Sequence, residues 1–188
     1  MDSNSAGDPA WYPTLEHLER SLAALPGAPR DRGRVALLVS RGAGGGRRET
    51  PDRARLAQDT GVPGDAWGRQ TEPSPEAQIT VMQIEVARLI ANSQPLLLFG
   101  DNLFLDLDLS ATNLPMGSRV RVGGATLEVT PKPHNGCRKF HARFGPEALR
   151  FVSKPDIRHR NLRGIYMRVV QPGEVAPGDP VEVLERTA

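Results

Sequence analysis

The chain carries a single cysteine, Cys137, in 188 residues. One cysteine excludes an intramolecular disulfide framework and any zinc site built on paired cysteines. Aromatic residues make up only 5% of the chain, so there is no row of stacking platforms for single-stranded nucleic acid. Charge of one sign is also lacking. The formal net charge is +2, too modest for a protein that binds nucleic acid by counterion release. The apolar runs Val35 to Val39 and Leu96 to Phe99 fall far short of a membrane span. The opening MDSNSAGDPAWYP has acids and no apolar core of a secretory signal. These absences predict a cytoplasmic protein with a reduced thiol, no membrane partner and no nucleic-acid partner.

What is abundant is punctuation. Gly 19 and Pro 17 leave room for few long helices, so the chain reads as mainly β with short helices, an α+β composition of strands joined by tight turns. Residues as far as Pro13 read as flexible. Leu15, Leu18, Leu22 and Leu25 recur at helical spacing behind Thr14 as N-cap, and Pro26-Gly27 ends that helix. Val35 to Val39 predicts a strand running into RGAGGGRRETP, an exposed flexible loop whose Arg41, Arg47 and Arg48 could close over an anion. That loop lacks the Gly-Lys-Ser/Thr ending of a P-loop.

GVPGDAWG, Gly61 to Gly68, is turn-rich. Ile79 to Val81 predicts a strand, and Met82, Val86, Leu89 and Ile90 a short helix ending near Asn92. FLDLDLS alternates as a half-buried strand. Arg119 to Val122, Gly123-Gly124 and Ala125 to Thr130 predict a β-hairpin. Phe140 and Phe144 share a helix face, and Gly145-Pro146 breaks that helix. Ile165 to Val170 and Val181 to Leu184 are closing strands. A closed or nearly closed barrel accommodates such strands without long free edges.

Cys137 follows His134-Asn135-Gly136 and precedes Arg138-Lys139. Asn135 or Gly136 is placed to cap a helix whose first turn holds the cysteine. Helix N-termini favour anions, and the flanking cations favour a thiolate further. Two cations in a first turn oppose the usual preference for acids there, which makes sense if a thiolate or a bound anion occupies the turn. Against this, a free cysteine also packs well as a small buried hydrophobe. A redox pair needs a second cysteine, and none of His17, His134, His141 and His159 stands in a protease signature. A soft metal ligand, a sulfur carrier or another nucleophile remain as roles for the thiol.

Residues of about 33 to 185 resemble the MOSC domain, the C-terminal module of molybdenum cofactor sulfurases. The resemblance is carried in order by GVPGDAWG, AQITVMQIE, GDNLFLDLDL, LPMGSRVRVGGATLEVT, CRKF and LRGIYMRVVQPGEVAPGDPVEVL. It divides the chain into residues 1–32, a flexible N-terminus and accessory helix, and residues 33–188, a MOSC-like domain. It implies a MOSC-type β-barrel-like fold. It also implies that Cys137 either ligates the molybdenum of a molybdenum cofactor (molybdopterin) or carries sulfur as a persulfide. The activity implied is a molybdenum-dependent reductase or a sulfur transferase. Asp101, Asn102, Arg163 and Gly164 fall on family motif positions. Asn102 and Arg163 are carried over as cofactor-pocket residues, joined by His134, Arg138 and Lys139 around the cysteine. The lead-in KPHNGC differs from many relatives, which place an arginine and a proline close to the cysteine. The chain's length leaves no room for a desulfurase domain, and no pyridoxal phosphate site is identified. The implied partner is therefore a cysteine desulfurase or a separate electron-donor protein. The alternative is a non-catalytic barrel module that binds an anion or a partner, with a structural cysteine.

Overall fold

The structure is a computed structural model and describes residues 6–42 and 47–187. Its strands, in chain order, are β1 (Arg32–Leu38), β2 (Ser40–Arg41), β3 (Arg48–Glu49), β4 (Ala54–Leu56), β5 (Ile79–Gln83), β6 (Leu103–Asp106), β7 (Arg119–Val122), β8 (Ala125–Val129), β9 (Ile165–Gln171), β10 (Gly173–Val175) and β11 (Pro180–Glu185). The helices are α1 (Leu15–Ala24), α2 (Ile84–Ala91) and α3 (Arg138–Val152). Seven strands close a barrel in the order β1-β11-β7-β8-β9-β5-β6, and two-stranded sheets β10-β4 and β2-β3 flank it. The chain is thus mainly β with a few short helices around a closed barrel, as its turn-rich sequence predicts.

Two apolar clusters explain the layering. One gathers Val35, Val81, Leu103, Leu105, Val120, Leu127 and Met167 as the barrel core. The other gathers Leu18, Leu22, Phe99, Phe104, Phe140, Phe144 and Phe151 where helices pack on the barrel. Strands between the two must be apolar on both faces. For this reason β6, expected to be half-buried, has Leu103, Phe104 and Leu105 all fully buried. Its parallel neighbour β5 is reached through α2, and it too is buried on both faces. Strand β7 borders solvent and alternates, with Val120 and Val122 inward and Arg119 and Arg121 outward.

Several local expectations change. Met82 lies in β5 and not in the following helix, because α2 begins only at Ile84. Asn92 ends α2 in the left-handed conformation. Helix α1 is capped by Thr14, whose Oγ1 accepts from His17 N at 3.2 Å. Flexibility as far as Pro13 gives way from Gly7 onward. Residues 1–5 and the glycine-rich centre of the arginine loop, 43–46, lie outside the described residues, while the loop's flanks pair as the β2–β3 hairpin.

Helix α3 is kinked at Gly145, with φ +87°, a region open to glycine. The kink exposes the carbonyls of the preceding turn, and other parts of the chain satisfy them. Ala142 O accepts from Gly7 N at 3.1 Å and from the Tyr12 hydroxyl at 2.7 Å. Arg143 O accepts from Gln94 Nε2 at 3.3 Å. A Cβ on Gly145 would sit 2.6 Å from the Tyr12 ring. The N-terminal segment therefore clasps the half of α3 that begins at Cys137.

Candidate functional site

A cleft of about 360 Å3 opens between the barrel wall and the first half of α3. Residues from β2, β3, β5 and β9, the Gly100-Asp101 turn, the segment before α3 and the first half of α3 line it. Among the described residues, five cationic side chains, Arg41, Arg48, Lys139, Arg143 and Arg163, line it against one carboxylate, Asp101. The wall is thus rich in positive charge, which attracts anions.

Cys137 is exposed at this cleft. It is the N-cap residue of α3 and not a member of the first turn, and its side chain makes no capping bond. Asn135 and Gly136 therefore do not cap the helix as expected. The Cys137 backbone is extended, with its carbonyl accepting from His141 N at 2.9 Å. No acid stands in the first turn of α3, where the helix dipole would favour one. Lys139 lines the cleft with Cys137, whereas Arg138 is exposed and does not line it.

Arg163 and Asp101 form the buried heart of the wall. Arg163 Nη1 donates to Asp101 Oδ2 at 2.8 Å, and the guanidinium lies 5.2 Å from the centre of the Phe140 ring. Gly164 must follow, because a Cβ there would stand 2.1 Å from Val81 O. Burial pushes the Asp101 carboxyl upward, against the pull of Arg163, Arg41 and Thr80. His134 packs on Tyr166 with ring centres 4.4 Å apart, and its Nε2 lies 3.7 Å from Asp101 Oδ1. Burial, then the Arg163 and Arg41 charges, hold the imidazole well below its ordinary value, so it is neutral near pH 7. Tyr166 is raised, chiefly by burial.

Arg41 is braced from behind. Its Nε and Nη2 reach Asp65 Oδ1 and Oδ2 at 2.9 and 2.5 Å, and its backbone N–H reaches Oδ1 at 2.7 Å. Burial disfavours both charges, but their hydrogen bonds and attraction overcome it, leaving Asp65 below and Arg41 above their ordinary values. Arg69 ties the same corner together by donating to the carbonyls of Gly64, Arg41 and Gly42.

Asn102 takes a different place from the other residues anticipated here. It is fully buried and does not line the cleft. Its Oδ1 accepts from Thr80 N and Oγ1 at 3.1 and 2.9 Å, and its Nδ2 donates to Val39 O at 3.3 Å. It joins the end of β1 to β5 behind the cleft wall. Of the anticipated set, Cys137, His134, Lys139 and Arg163 come together. Arg143 and Tyr166 went unrecognised in the sequence. The signal for Arg143 was its i,i+4 spacing from Lys139; that for Tyr166 was its alternation with the inward Ile165 and Met167.

Among the described residues of the wall, Asp101 Oδ1, His134 Nδ1 and Arg163 Nε are buried without a hydrogen-bond partner. Buried polar atoms are normally satisfied, so these three are the mark of a site that receives a ligand or water. Among the described residues no group of three or more His, Cys, Asp or Glu could hold a metal ion by itself.

The MOSC domain matches residues 69–182. The chain belongs to the MOSC domain family. The Bacillus subtilis protein YflK is 32% identical over 88 residues, which cover 47% of this chain and 37% of YflK. The alignment thus spans little more than a third of that relative. Two solved structures share the fold. YuaD of Bacillus subtilis superposes with a TM-score of 0.62 at 22% identity, covering 81% of this chain and 95% of YuaD. YiiM of Escherichia coli gives 0.57 at 20% identity, covering 84% and 71%. Among the described residues no helix is long and apolar enough to cross a membrane.

Proposed function

We propose that this MOSC domain binds the molybdenum cofactor in the cationic cleft, with Cys137 as a soft thiolate ligand. The observation that carries this reading is an exposed thiol beside five cationic side chains on one wall. The donor set fits the group. Guanidinium and ammonium groups suit the phosphate of the pterin, and a thiolate suits a soft metal centre. The unpartnered Arg163 Nε and His134 Nδ1 supply further polar contacts.

Arg143, Lys139 and Arg163 would hold the phosphate, and Cys137 would supply the protein's sulfur ligand. When bound, the cofactor supplies two-electron oxidation–reduction at its metal. His134, neutral beside Asp101, is a group able to hold or pass a proton at the cleft. In this reading the protein is an oxidoreductase served by a separate electron donor.

A second reading is favoured by the exposure of Cys137: the thiol carries sulfur as a persulfide, loaded by a cysteine desulfurase or another donor, and the protein acts as a sulfur transferase. One experiment separates the two. Protein purified from cofactor-producing cells is measured by elemental analysis and intact mass. Molybdenum retained by the wild type and lost in Cys137→Ser supports ligation. A gain of one sulfur on Cys137 without metal supports carriage. Neither metal nor sulfur, together with undiminished anion binding by Cys137→Ser, would leave a non-catalytic anion-binding module.

A further inference from the structure

Cys137 and the cationic wall are neighbours. The thiol stands exposed at the cleft, its side chain free of capping bonds. Lys139 and Arg143 follow on the same half-helix and line the same cleft. Arg143 is near enough that the charge of a Cys137 thiolate opposes the lowering of its guanidinium by burial. Deeper in the wall, His134 and Arg163 are each nine-tenths buried and each present a nitrogen without a partner. Among the described residues, the one carboxylate lining the cleft, Asp101, is matched by Arg163 at 2.8 Å.

An acceptor thiol beside a receptor for anions is what a small sulfur donor requires when its leaving group is itself an anion. We propose that Cys137 takes sulfane sulfur directly from a small S-sulfonate dianion, of which thiosulfate is the simplest, while the cationic wall holds the departing sulfite. This inference rests on the sulfur-carrier reading of Cys137.

The step balances without an external oxidant or reductant. The Cys137 thiolate attacks the outer sulfur of thiosulfate and an Sγ–S bond forms. The sulfur–sulfur bond of thiosulfate breaks, and its electron pair leaves with sulfite. The product is a Cys137 persulfide anion, no proton is taken up or released, and the total charge is unchanged. Negative charge builds on the sulfonate oxygens as that bond breaks. Guanidinium and ammonium groups already oriented toward an anion stabilise such charge most effectively in a site partly closed to water. The cleft volume of about 360 Å3 admits a thiosulfate ion beside Cys137 with space for water.

The test uses the reduced, desalted full chain and two donors, thiosulfate and the uncharged dimethyl trisulfide. With thiosulfate, intact mass gains one sulfur on Cys137 and an equal amount of sulfite appears; Cys137→Ser gives neither. Lys139→Gln and Arg143→Gln lose on the order of tenfold in loading rate with thiosulfate relative to dimethyl trisulfide, the effect of one charge-assisted contact. Lys139 is exposed, so its variant gives an answer even where the buried Arg143 variant folds poorly. A methyl disulfide or methyl trisulfide adduct formed on Cys137 from the trisulfide, with no sulfur gained from thiosulfate, overturns this proposal and leaves the carrier reading standing. Loading by neither donor removes both. Equal rates with both donors in both variants overturn the role assigned to the cationic wall.

Discussion

On the open side of the barrel, Arg119, Arg121 and Arg168 face Glu128 and Glu182 across β7, β8, β9 and β11. At the cleft, Arg41 and Arg163 face Asp65 and Asp101. The residue types match and the settings do not. The outer arginines are about half exposed, at 49 to 51% of the side chain. Asp65 and Asp101 retain only 1%. In water, ion pairs contribute little, since solvent and salt compete with them. In the interior, each charge has lost its hydration, and removing one partner strands the other. The outer ladder decorates a wall that apolar packing already holds. The inner pairs fix the directions of charged groups at a cleft, at a desolvation cost that apolar residues would not incur. Such a cost makes physical sense where the charges meet something other than each other.

Three substitutions probe this contrast. The largest effect is expected at Asp65, which accepts from Arg41 at three atoms and from Trp67 N at 3.0 Å. Asp65→Ala should lower unfolding free energy by about 3–5 kcal/mol, the range for breaking a buried pair from one side, measured by urea denaturation. A loss below about 1 kcal/mol would place this pair with the surface ladder.

Next comes pH. The folded state holds His134 well below its ordinary value, whereas the unfolded chain protonates it near pH 6.5. Below that pH the unfolded state binds more protons, so stability falls as pH falls, until His134 protonates in the folded state. The slope from this one group reaches about 1.4 kcal/mol per pH unit. In His134→Gln, denaturation midpoints between about pH 6.5 and 5 should flatten by that amount; an unchanged slope would mean that His134 is solvated in the native protein.

The smallest effect is expected on the outer wall. Glu128 meets Arg168 Nη2 at 2.5 Å and Arg119 Nε at 3.3 Å. Even so, Glu128→Gln should cost no more than about 1 kcal/mol, and less still at high salt. A larger, salt-insensitive loss would show that the ladder is coupled as a network.

The same contrast explains what could be read in advance. The barrel was legible because alternation and turn chemistry are local. Arg119 to Val129 declares its hairpin through outward arginines, inward valines and Gly123-Gly124. Where two layers meet, that signal breaks down: FLDLDLS alternates, yet Phe104, Leu103 and Leu105 are all buried. The site was legible at the cysteine and its neighbours in sequence. Cys137, His134 and Lys139 lie within six positions of one another, and Arg163 was reached through the family resemblance. Arg41, Arg48, Asp101 and Tyr166 reach the cleft from strands and turns separated along the chain. No spacing rule brings them together; the closure of the barrel does. Asn102 is a motif position whose side chain joins the backbone of β1 and β5 behind the wall.

The clasp on α3 has a consequence for the cleft. The half-helix from Arg138 to the Gly145 kink is about two turns, too short to persist alone in water. Its last carbonyls lean on Gly7 and Tyr12, so the two ends of this short cylinder carry opposite duties: one presents the thiol, the other is splinted by residues from the start of the chain. Tyr12 and Cys137 are thus joined through one short helix, and the geometry of the thiol's end depends on contacts made at the other.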